Sequence, residues 1–373
     1  MDFSFTEEQT LLRNSVQKYL ADNYTFEHFK KISRSEPGYS SKDWKQFAEL
    51  GLMAAPLPEA YGGLGGGPVD VMVVMEEFGK ALVVEPYVST VVVGGGFFQH
   101  GGSDAQKEEW LNKIAAGETI IAFAFAEPQG RYNFADLTTT AKKSGSAYTI
   151  SGQKSVVLGA PWADALIVTA RTAGGQRDAK GVSVFIVDRK AKGVATRDYP
   201  TIDGLHASEV TFENAPATLI GIADDGLKLI EQVTDQAIAA HASEAVGAMK
   251  VLLNATVEYS KTRKQFGVPI GKFQVLQHRM VDMFMNAEQS ASITYMVTLK
   301  LGENDVERKK AASAAKVQIG KAGRFVGQQA VQIHGGMGMT DELNVGHYFK
   351  RLTMLDTLYG NVDHHLKRYA ELG

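Results

Sequence analysis

The chain of 373 residues contains no cysteine. This absence excludes disulfides, thiolate catalysis and cysteine-ligated metal sites, and it fits a reducing compartment. A surplus of basic charge is missing as well, because 39 Lys and Arg stand against 42 Asp and Glu, with both signs interspersed along the chain. We therefore expect no nucleic-acid partner.

Long apolar runs are also absent. One of the most apolar stretches, Val91–Phe98, is far shorter than the roughly 20 residues that a transmembrane helix needs. No signal peptide is visible at the start of the sequence. We therefore expect no membrane span and a cytoplasmic location.

The pattern that is present divides the chain into three regions. Residues 1–118 show helical periodicity, which opens at Thr6–Gln9 with a Thr and a Gln spaced to form a capping box. Residues 119–225 contain short β-branched runs such as Val182–Val187, which are typical of strands. Residues 226–373 return to long helical patterns. The sequence therefore predicts an α+β protein with a helical, a β and a second helical domain.

Two motifs in the third region suit a dinucleotide. The first is Arg263-Lys264-Gln265-Phe266-Gly267, followed by Phe273-Gln274, and the second is Gln332–Thr340, which contains Gly335 and Gly336. A guanidinium can form paired hydrogen bonds to a pyrophosphate, and glycine lets the backbone approach a phosphate closely. We interpret both motifs as candidate phosphate-binding elements.

Both motifs resemble the signatures of the acyl-CoA dehydrogenase family, and the resemblance covers essentially the whole chain. Within the family it is nearest to the small subunits of pimeloyl-CoA dehydrogenases. The resemblance implies a central small β-barrel or sandwich between an N-terminal helical domain and a C-terminal four-helix bundle. It also implies FAD as cofactor, an acyl-CoA substrate and an electron-accepting flavoprotein as partner.

The resemblance further implies which residues contact FAD. In the family they serve the adenine-diphosphate half of an FAD whose flavin ring lies mainly in the adjacent subunit. Two other interpretations stay open, namely a surface ion pair for the arginine and a helix-terminating turn for the glycines. The implied contacts are Arg263, Gln265, Phe266, Gln274, Gln332, Gly335 and Gly336.

The motifs that face the flavin in the family are altered. Where the family has Thr-Glu-Pro-Gly-x-Gly-Ser-Asp, this chain has Ala126–Asn133, with Arg131 at a position that is small in the family. An arginine there either fills the space that the family leaves beside the flavin and the thioester or redirects the loop. The alternative is that the loop has shifted and kept its role. The family's flavin-contacting Trp and Thr are replaced by Val156 and Leu158, which cannot donate a side-chain hydrogen bond.

The family's catalytic base is missing. Gly360 stands where the motif Tyr-Glu-Gly-Thr has its glutamate, and glycine cannot accept a proton. Some relatives carry the carboxylate on the helix before Arg263, and here that position is Gln236. Glu244 lies roughly 80° further around the same helix, and burial would raise its pKa toward a useful range. The alternative is that Glu244 bonds to local backbone or to His241.

Three functions follow from this pattern. The favoured one is a partner subunit that completes the FAD site of a second acyl-CoA dehydrogenase-type subunit, which supplies the base. The others are a self-sufficient homo-oligomer that uses Glu244 or Asp363, and a non-catalytic structural paralogue.

Two further residue sets have competing interpretations. Arg131 is the candidate for binding the distal carboxylate of a dicarboxylyl substrate such as pimeloyl-CoA, although it could equally plug a dead pocket. We interpret His364 and His365 as a pair on a helix face and expect no metal site, because no third ligand is evident.

Overall fold

The computed structural model describes residues 4–145 and 147–373. Their contacts group into two compact units. The first contains the chain up to Phe29, together with Val71–Val83 and Ile238–Gly373, and the second contains Lys30–Asp70 and Val84–Ala237. The boundaries at residues 118 and 225, which follow secondary structure rather than contacts, stay a prediction. Within the described ranges, no helix is both long enough and apolar enough to cross a membrane.

The N-terminal region is helical, as predicted. Its first helix begins with the expected capping box, because Thr6 Oγ1 accepts from the Gln9 amide at 3.2 Å and Gln9 Oε1 accepts from the Thr6 amide at 3.1 Å. A π-helical segment, Val88–Gly94, leads into the fifth helix. The helices are α1 (Glu7–Asn23), α2 (Phe26–Ser33), α3 (Ser41–Glu49), α4 (Pro68–Ala81), α5 (Gly95–Gly101) and α6 (Asp104–Ala115).

The central region forms one mixed sheet. Its strands are β1 (Ile121–Ala124), β2 (Thr140–Ser144), β3 (Ala147–Leu158), β4 (Ala165–Arg171), β5 (Val182–Asp188), β6 (Val194–Pro200) and β7 (His206–Ile220). The order is β1-β4-β2-β3-β7-β5, with β6 beside β7. Because β4 also pairs with β5, strands β4, β2, β3, β7 and β5 close into a ring. The predicted small β-barrel is therefore confirmed, and its strands carry buried apolar side chains such as Ile150, Ile167 and Phe212.

The C-terminal region is helical again, which confirms the α+β class. A short hairpin follows its first long helix. The long helices pack together through a buried cluster made mostly of alanines, which consists of Ile238, Ala239, Val297, Ala311, Ala312 and Ala315. The elements are α7 (Leu227–Thr262), β8 (Lys264–Gln265), β9 (Val268–Pro269), α8 (Gln274–Lys300), α9 (Asp305–His334), α10 (Val345–Thr357) and α11 (Val362–Glu371).

Candidate functional site

The two sequence motifs meet around one cavity of about 660 Å³ in the first unit. The cavity lies where α7 ends, α8 begins and α9 ends. Five of the seven predicted FAD contacts line it, whereas Phe266 and Gln274 do not. The lining also includes three polar residues that the sequence analysis missed, Tyr259, Arg279 and His334. The predicted residues that line it are Arg263, Gln265, Gln332, Gly335 and Gly336.

The hairpin after α7 positions the first motif. Gln265 pairs with Val268 across a turn in which Phe266 and Gly267 both have positive φ, 54° and 80°. Two positive values in succession are the geometry of a tight type I′ hairpin. The amide of Ile270 donates to the carbonyl of Arg263 at 2.8 Å, which closes the hairpin. Phe266 is consequently displayed on the surface, with 92% of its area exposed.

Gly335 positions the second motif at the end of α9. Its φ of 60° and ψ of −140° favour glycine strongly, and its amide donates to the carbonyl of Gln332. A Cβ at Gly335 or Gly336 would meet no described atom within 4 Å. Glycine at 335 is therefore required by the backbone conformation rather than by crowding within the described residues, and the open space beside both glycines is accessible to a ligand.

The charges of the lining suit an anion. Among the described residues it contains Arg263 and Arg279 but no carboxylate. Arg279 Nη1 donates to Gln329 Oε1 at 3.2 Å, while Arg263 is exposed at the mouth and forms no ion pair within residues 4–145 and 147–373. The surface-ion-pair interpretation of Arg263 thus gains no support. Arginine and amide donors without a competing carboxylate match the chemistry of a diphosphate, so the lining fits the adenine-diphosphate half of FAD.

The position of the missing base is occupied by two imidazole rings. A Cβ at Gly360 would lie 2.5 Å from His364 Cδ2 and 2.6 Å from His365 Nε2. The φ of Gly360 is 119°, a conformation that residues with a Cβ rarely adopt. A glutamate would therefore require both a new backbone conformation and the displacement of two side chains.

Helix α9 holds this turn in place. His365 Nε2 donates to the carbonyl of Tyr359 at 3.1 Å, and its Nδ1 pairs with Ser313 Oγ at 3.2 Å. Burial lowers the pKa of His365 to about 3, so the ring is neutral at pH 7. Lys316 Nζ donates to the carbonyls of Leu355 and Asp356 near the end of α10. The turn is thus fixed in a conformation that excludes a carboxylate at position 360.

The two histidines lie side by side at the start of α11. Their rings meet edge to face, with centroids 5.0 Å apart. In the part of the chain that the structure describes, no group of three or more His, Asp or Glu side chains is placed to hold a metal ion. Asp363, which the second function would use as base, is exposed in the first turn of α11.

Glu244 is buried in an ion pair rather than free to act as a base. Its oxygens lie 2.5 Å from Arg351 Nε and 3.0 Å from Arg351 Nη2, and a third contact of 3.0 Å joins it to His241 Nδ1. Burial alone would raise the pKa of Glu244, but Arg351 and His241 together lower it to about 2. The predicted upward shift is therefore wrong, whereas the alternative contact with His241 is confirmed. Glu244 as catalytic base stays a prediction that this geometry does not favour.

The other family position for the base offers no carboxylate. Gln236 holds an amide there, and its Nε2 lies 3.0 Å from His100 Nε2. An amide cannot remove a proton from carbon at neutral pH.

The altered loop of the second unit, Ala126–Asn133, contains one member of a buried ion pair, Glu127. Glu127 Oε1 lies 2.7 Å from Lys154 Nζ, and both side chains are almost completely buried. Burial would raise the pKa of Glu127, but Lys154 lowers it to about 2, while burial lowers the pKa of Lys154 to about 8. Glu127 also accepts from the amide and the hydroxyl of Thr138 at 2.7 and 2.6 Å. The sequence analysis missed this pair, although Glu127 stands where the family motif has its glutamate.

Two residues that differ from the family motifs, Arg131 and Val156, have positive φ angles. Arg131 has φ of 47°, at the place where the family motif has a small residue, and its side chain is exposed. Val156 has φ of 52° within a β-bulge of β3, where its amide donates to Glu209 Oε1 at 3.3 Å. Arg131 therefore occupies a left-handed conformation that glycine adopts readily. The roles of Arg131, Val156 and Leu158 toward flavin or substrate stay predictions.

Family models match nearly the whole chain. The model described as Acyl-CoA dehydrogenase, N-terminal domain matches residues 6–118. The middle domain of the same family matches residues 122–215, and its C-terminal domain matches residues 224–371.

Individual relatives are similar over the same length. Probable acyl-CoA dehydrogenase YngJ of Bacillus subtilis is 31% identical over 354 residues, which are 92% of this chain and 92% of that protein. The solved butyryl-CoA dehydrogenase of Megasphaera elsdenii is 25% identical, with a TM-score of 0.92 over 100% of this chain and 99% of that chain. A solved variant of the steroid acyl-CoA dehydrogenase Tcur3481–Tcur3483 is 26% identical, with a TM-score of 0.90 over 98% and 97% of the two chains.

Proposed function

Because this chain belongs to the acyl-CoA dehydrogenase family of FAD-dependent flavoproteins, we propose that it is a partner subunit of such an enzyme. In this role it completes the FAD site of a second subunit, and that subunit supplies the catalytic base. One observation carries the proposal. The space beside Gly360 is filled by His364 and His365, whereas the cavity that suits a dinucleotide is open.

The reaction class explains why the filled base position matters. Dehydrogenation of an acyl-CoA thioester requires a base that removes a proton from the α-carbon. In this chain the usual position is Gly360 and the alternative position is Gln236. Glu244 already accepts hydrogen bonds from Arg351 and His241. None of these groups is a suitable base, which supports a base on another chain.

The cavity residues define what this chain contributes to FAD binding. Arg263 and Gln265 on the hairpin would hold the diphosphate as cation and amide donor, and Gln332 with the glycine turn would hold it from α9. When bound, FAD supplies the acceptor for the hydride that leaves the β-carbon. The chain itself binds and orients one half of the cofactor.

Exposed apolar side chains supply a surface for the partner. On α8, Val281, Phe284 and Met285 are each about half exposed, and Phe266 stands out from the hairpin next to the cavity. Exposed apolar side chains grouped on one helix face often mark a surface that a protein partner covers. The covering subunit is a second acyl-CoA dehydrogenase-type chain in the main proposal and a second copy of this chain in the alternative. A relative whose name joins two components, Tcur3481–Tcur3483, supports the first choice.

The proposed substrate is an acyl-CoA thioester, and the proposed acceptor of its electrons is a flavoprotein. The resemblance to the small subunits of pimeloyl-CoA dehydrogenases extends this to a dicarboxylyl thioester such as pimeloyl-CoA. The proposed location is the cytoplasm. The experiment that tests the function is flavin binding by this chain alone and after co-expression with candidate partner subunits, and we expect flavin only in the pair.

Arg131→Ala tests the dicarboxylyl substrate. If the guanidinium pairs with a distal carboxylate, the assembled enzyme should lose about 10-fold or more in kcat/KM for a dicarboxylyl-CoA, because a charge-assisted hydrogen bond contributes about 1.5–3 kcal/mol. Activity on a monocarboxylyl-CoA of equal length should change little. Steady-state kinetics of both substrates measures the ratio. An unchanged ratio would remove Arg131 from substrate recognition and leave the rest of the proposal intact.

A further inference from the structure

His334 lies at the last turn of α9 in a fixed orientation. Only 4% of its surface is exposed, and its ring stacks on Tyr259 with centroids 4.4 Å apart. Its Nδ1 lies 2.8 Å from the carbonyl oxygen of Ala330. A carbonyl oxygen can only accept a hydrogen bond, so Nδ1 must carry the proton. The backbone of α9 thus selects one tautomer of this ring.

The other ring nitrogen is consequently an acceptor. Burial lowers the pKa of His334, which favours the neutral ring, in which Nε2 keeps its lone pair. Within the described residues Nε2 makes no hydrogen bond. Because the residue is buried and lines the cavity, we infer that this edge of the ring faces the cavity.

An acceptor at this place complements the arginines. Arg263 and Arg279 can only donate, and they suit phosphate oxygens. A neutral imidazole nitrogen suits the opposite kind of group, an N–H or O–H of the ligand. The cavity therefore combines groups for an anion with an acceptor for a hydrogen-bond donor.

We propose that His334 is a specificity residue of this cavity and that its Nε2 accepts a hydrogen bond from the adenosine part of the bound nucleotide. The donor is the amino group of the purine or a hydroxyl of the ribose. The inference rests on the proposed function for the identity of the ligand, the adenine-diphosphate half of FAD.

Binding of free ADP to the whole chain, measured by calorimetry, tests the proposal. His334→Phe keeps an aromatic ring against Tyr259 but removes the acceptor, and it should weaken ADP binding about 3- to 10-fold, as expected for one neutral hydrogen bond. His334→Gln places an amide oxygen near the position of Nε2 and should retain most of the affinity. Thermal unfolding of both variants checks that they are folded.

Ligand analogues separate recognition from a structural role and identify the donor. If the donor is the amino group, IDP should bind the wild-type chain about 3- to 10-fold more weakly than ADP. If the donor is a ribose hydroxyl, 2′-deoxy-ADP or 3′-deoxy-ADP should show this loss. In His334→Phe the affected analogue should bind as well as ADP. A merely structural role would lower the affinity for every ligand by one factor.

Each outcome bears on one proposal or on both. His334→Phe with the same analogue ratios as the wild type would overturn the role of His334, whatever its affinity for ADP. Analogue discrimination that depends on His334, without flavin binding in any pair, would leave this inference standing and contradict the partner-subunit function. A chain that binds neither ADP alone nor flavin in any assembly would contradict both.

Discussion

Replacing Arg351 with methionine is expected to lower the free energy of unfolding by about 3 to 5 kcal/mol, because the change leaves the buried carboxylate of Glu244 without its cationic partner. Glu244 lies in α7 and Arg351 in α10, so their ion pair joins two helices of the first unit. Both side chains are almost completely buried, at 5% and 9% exposure. Water therefore cannot replace the lost hydrogen bonds.

Urea unfolding at pH 7 measures this prediction. Lys261→Met is the matched control, since Lys261 pairs with Glu258 at the surface of α7 with 60% and 68% of the two side chains exposed. Such a pair contributes about 0 to 1 kcal/mol. The double variant Glu244→Gln with Arg351→Met should be more stable than the two single losses predict by addition. A cost for Arg351→Met as small as that of the control would contradict the buried pair.

The same pair predicts a dependence of stability on pH. The pKa of Glu244 is lowered from its ordinary value of 4.5 to about 2 in the folded protein. The contribution of a depressed carboxyl is present above its unfolded pKa and is lost as the pH falls through the folded one. We therefore expect protonation of Glu244 to lower the free energy of unfolding progressively as the pH falls from about 4.5 to about 2. In Glu244→Gln this part of the acid transition should be missing.

Gly360→Glu is expected to destabilise the chain by about 2 to 6 kcal/mol and to create no dehydrogenase activity in the lone chain. The strained φ costs about 1 to 3 kcal/mol. Displacing His364 and His365, whose atoms lie 2.5 and 2.6 Å from the new Cβ, adds an overpacking cost of about 1 to 3 kcal/mol. The carboxylate would thus be inserted into a space that the protein already fills.

The matched control is the same substitution at Gly302. There a Cβ would meet nothing within 4 Å of the described atoms, and φ lies outside the left-handed range. Gly302→Glu should change the unfolding free energy by no more than about 0.5 kcal/mol. Unfolding curves and assays of flavin reduction by acyl-CoA on both variants measure the two expected effects. A Gly360→Glu chain of normal stability that reduces bound flavin with acyl-CoA would contradict the partner-subunit account.

Local features were predictable from the sequence because short-range rules determine them. The capping box at Thr6 and Gln9 depends on residues three apart, and the structure confirms it. The β-branched runs form the barrel strands. The Arg263 and Gln332 motifs meet at one cavity, as their resemblance to a dinucleotide site implies. The capping box and the strands depend on neighbouring residues, whereas the meeting of the two motifs follows from the family resemblance.

The environment of the candidate bases was not predictable because distant residues determine it. Arg351, which reverses the expected pKa shift of Glu244, lies 107 residues away from it. No periodicity or composition marks that contact. Similarly, the residue types at 360, 364 and 365 could be read, but the crowding of Gly360 depends on how α11 begins and on the bond from Ser313 to His365.

The most direct test of the partner-subunit function is the visible flavin absorbance of the chain purified alone and with a partner subunit, before and after anaerobic addition of acyl-CoA. We predict no flavin in the lone chain, stoichiometric FAD in the pair with bleaching by substrate, and less FAD in a pair that carries Arg263→Met. Flavin that is bound and bleached by acyl-CoA in the lone chain would contradict the account and would place the base within this chain, at Glu244 or Asp363.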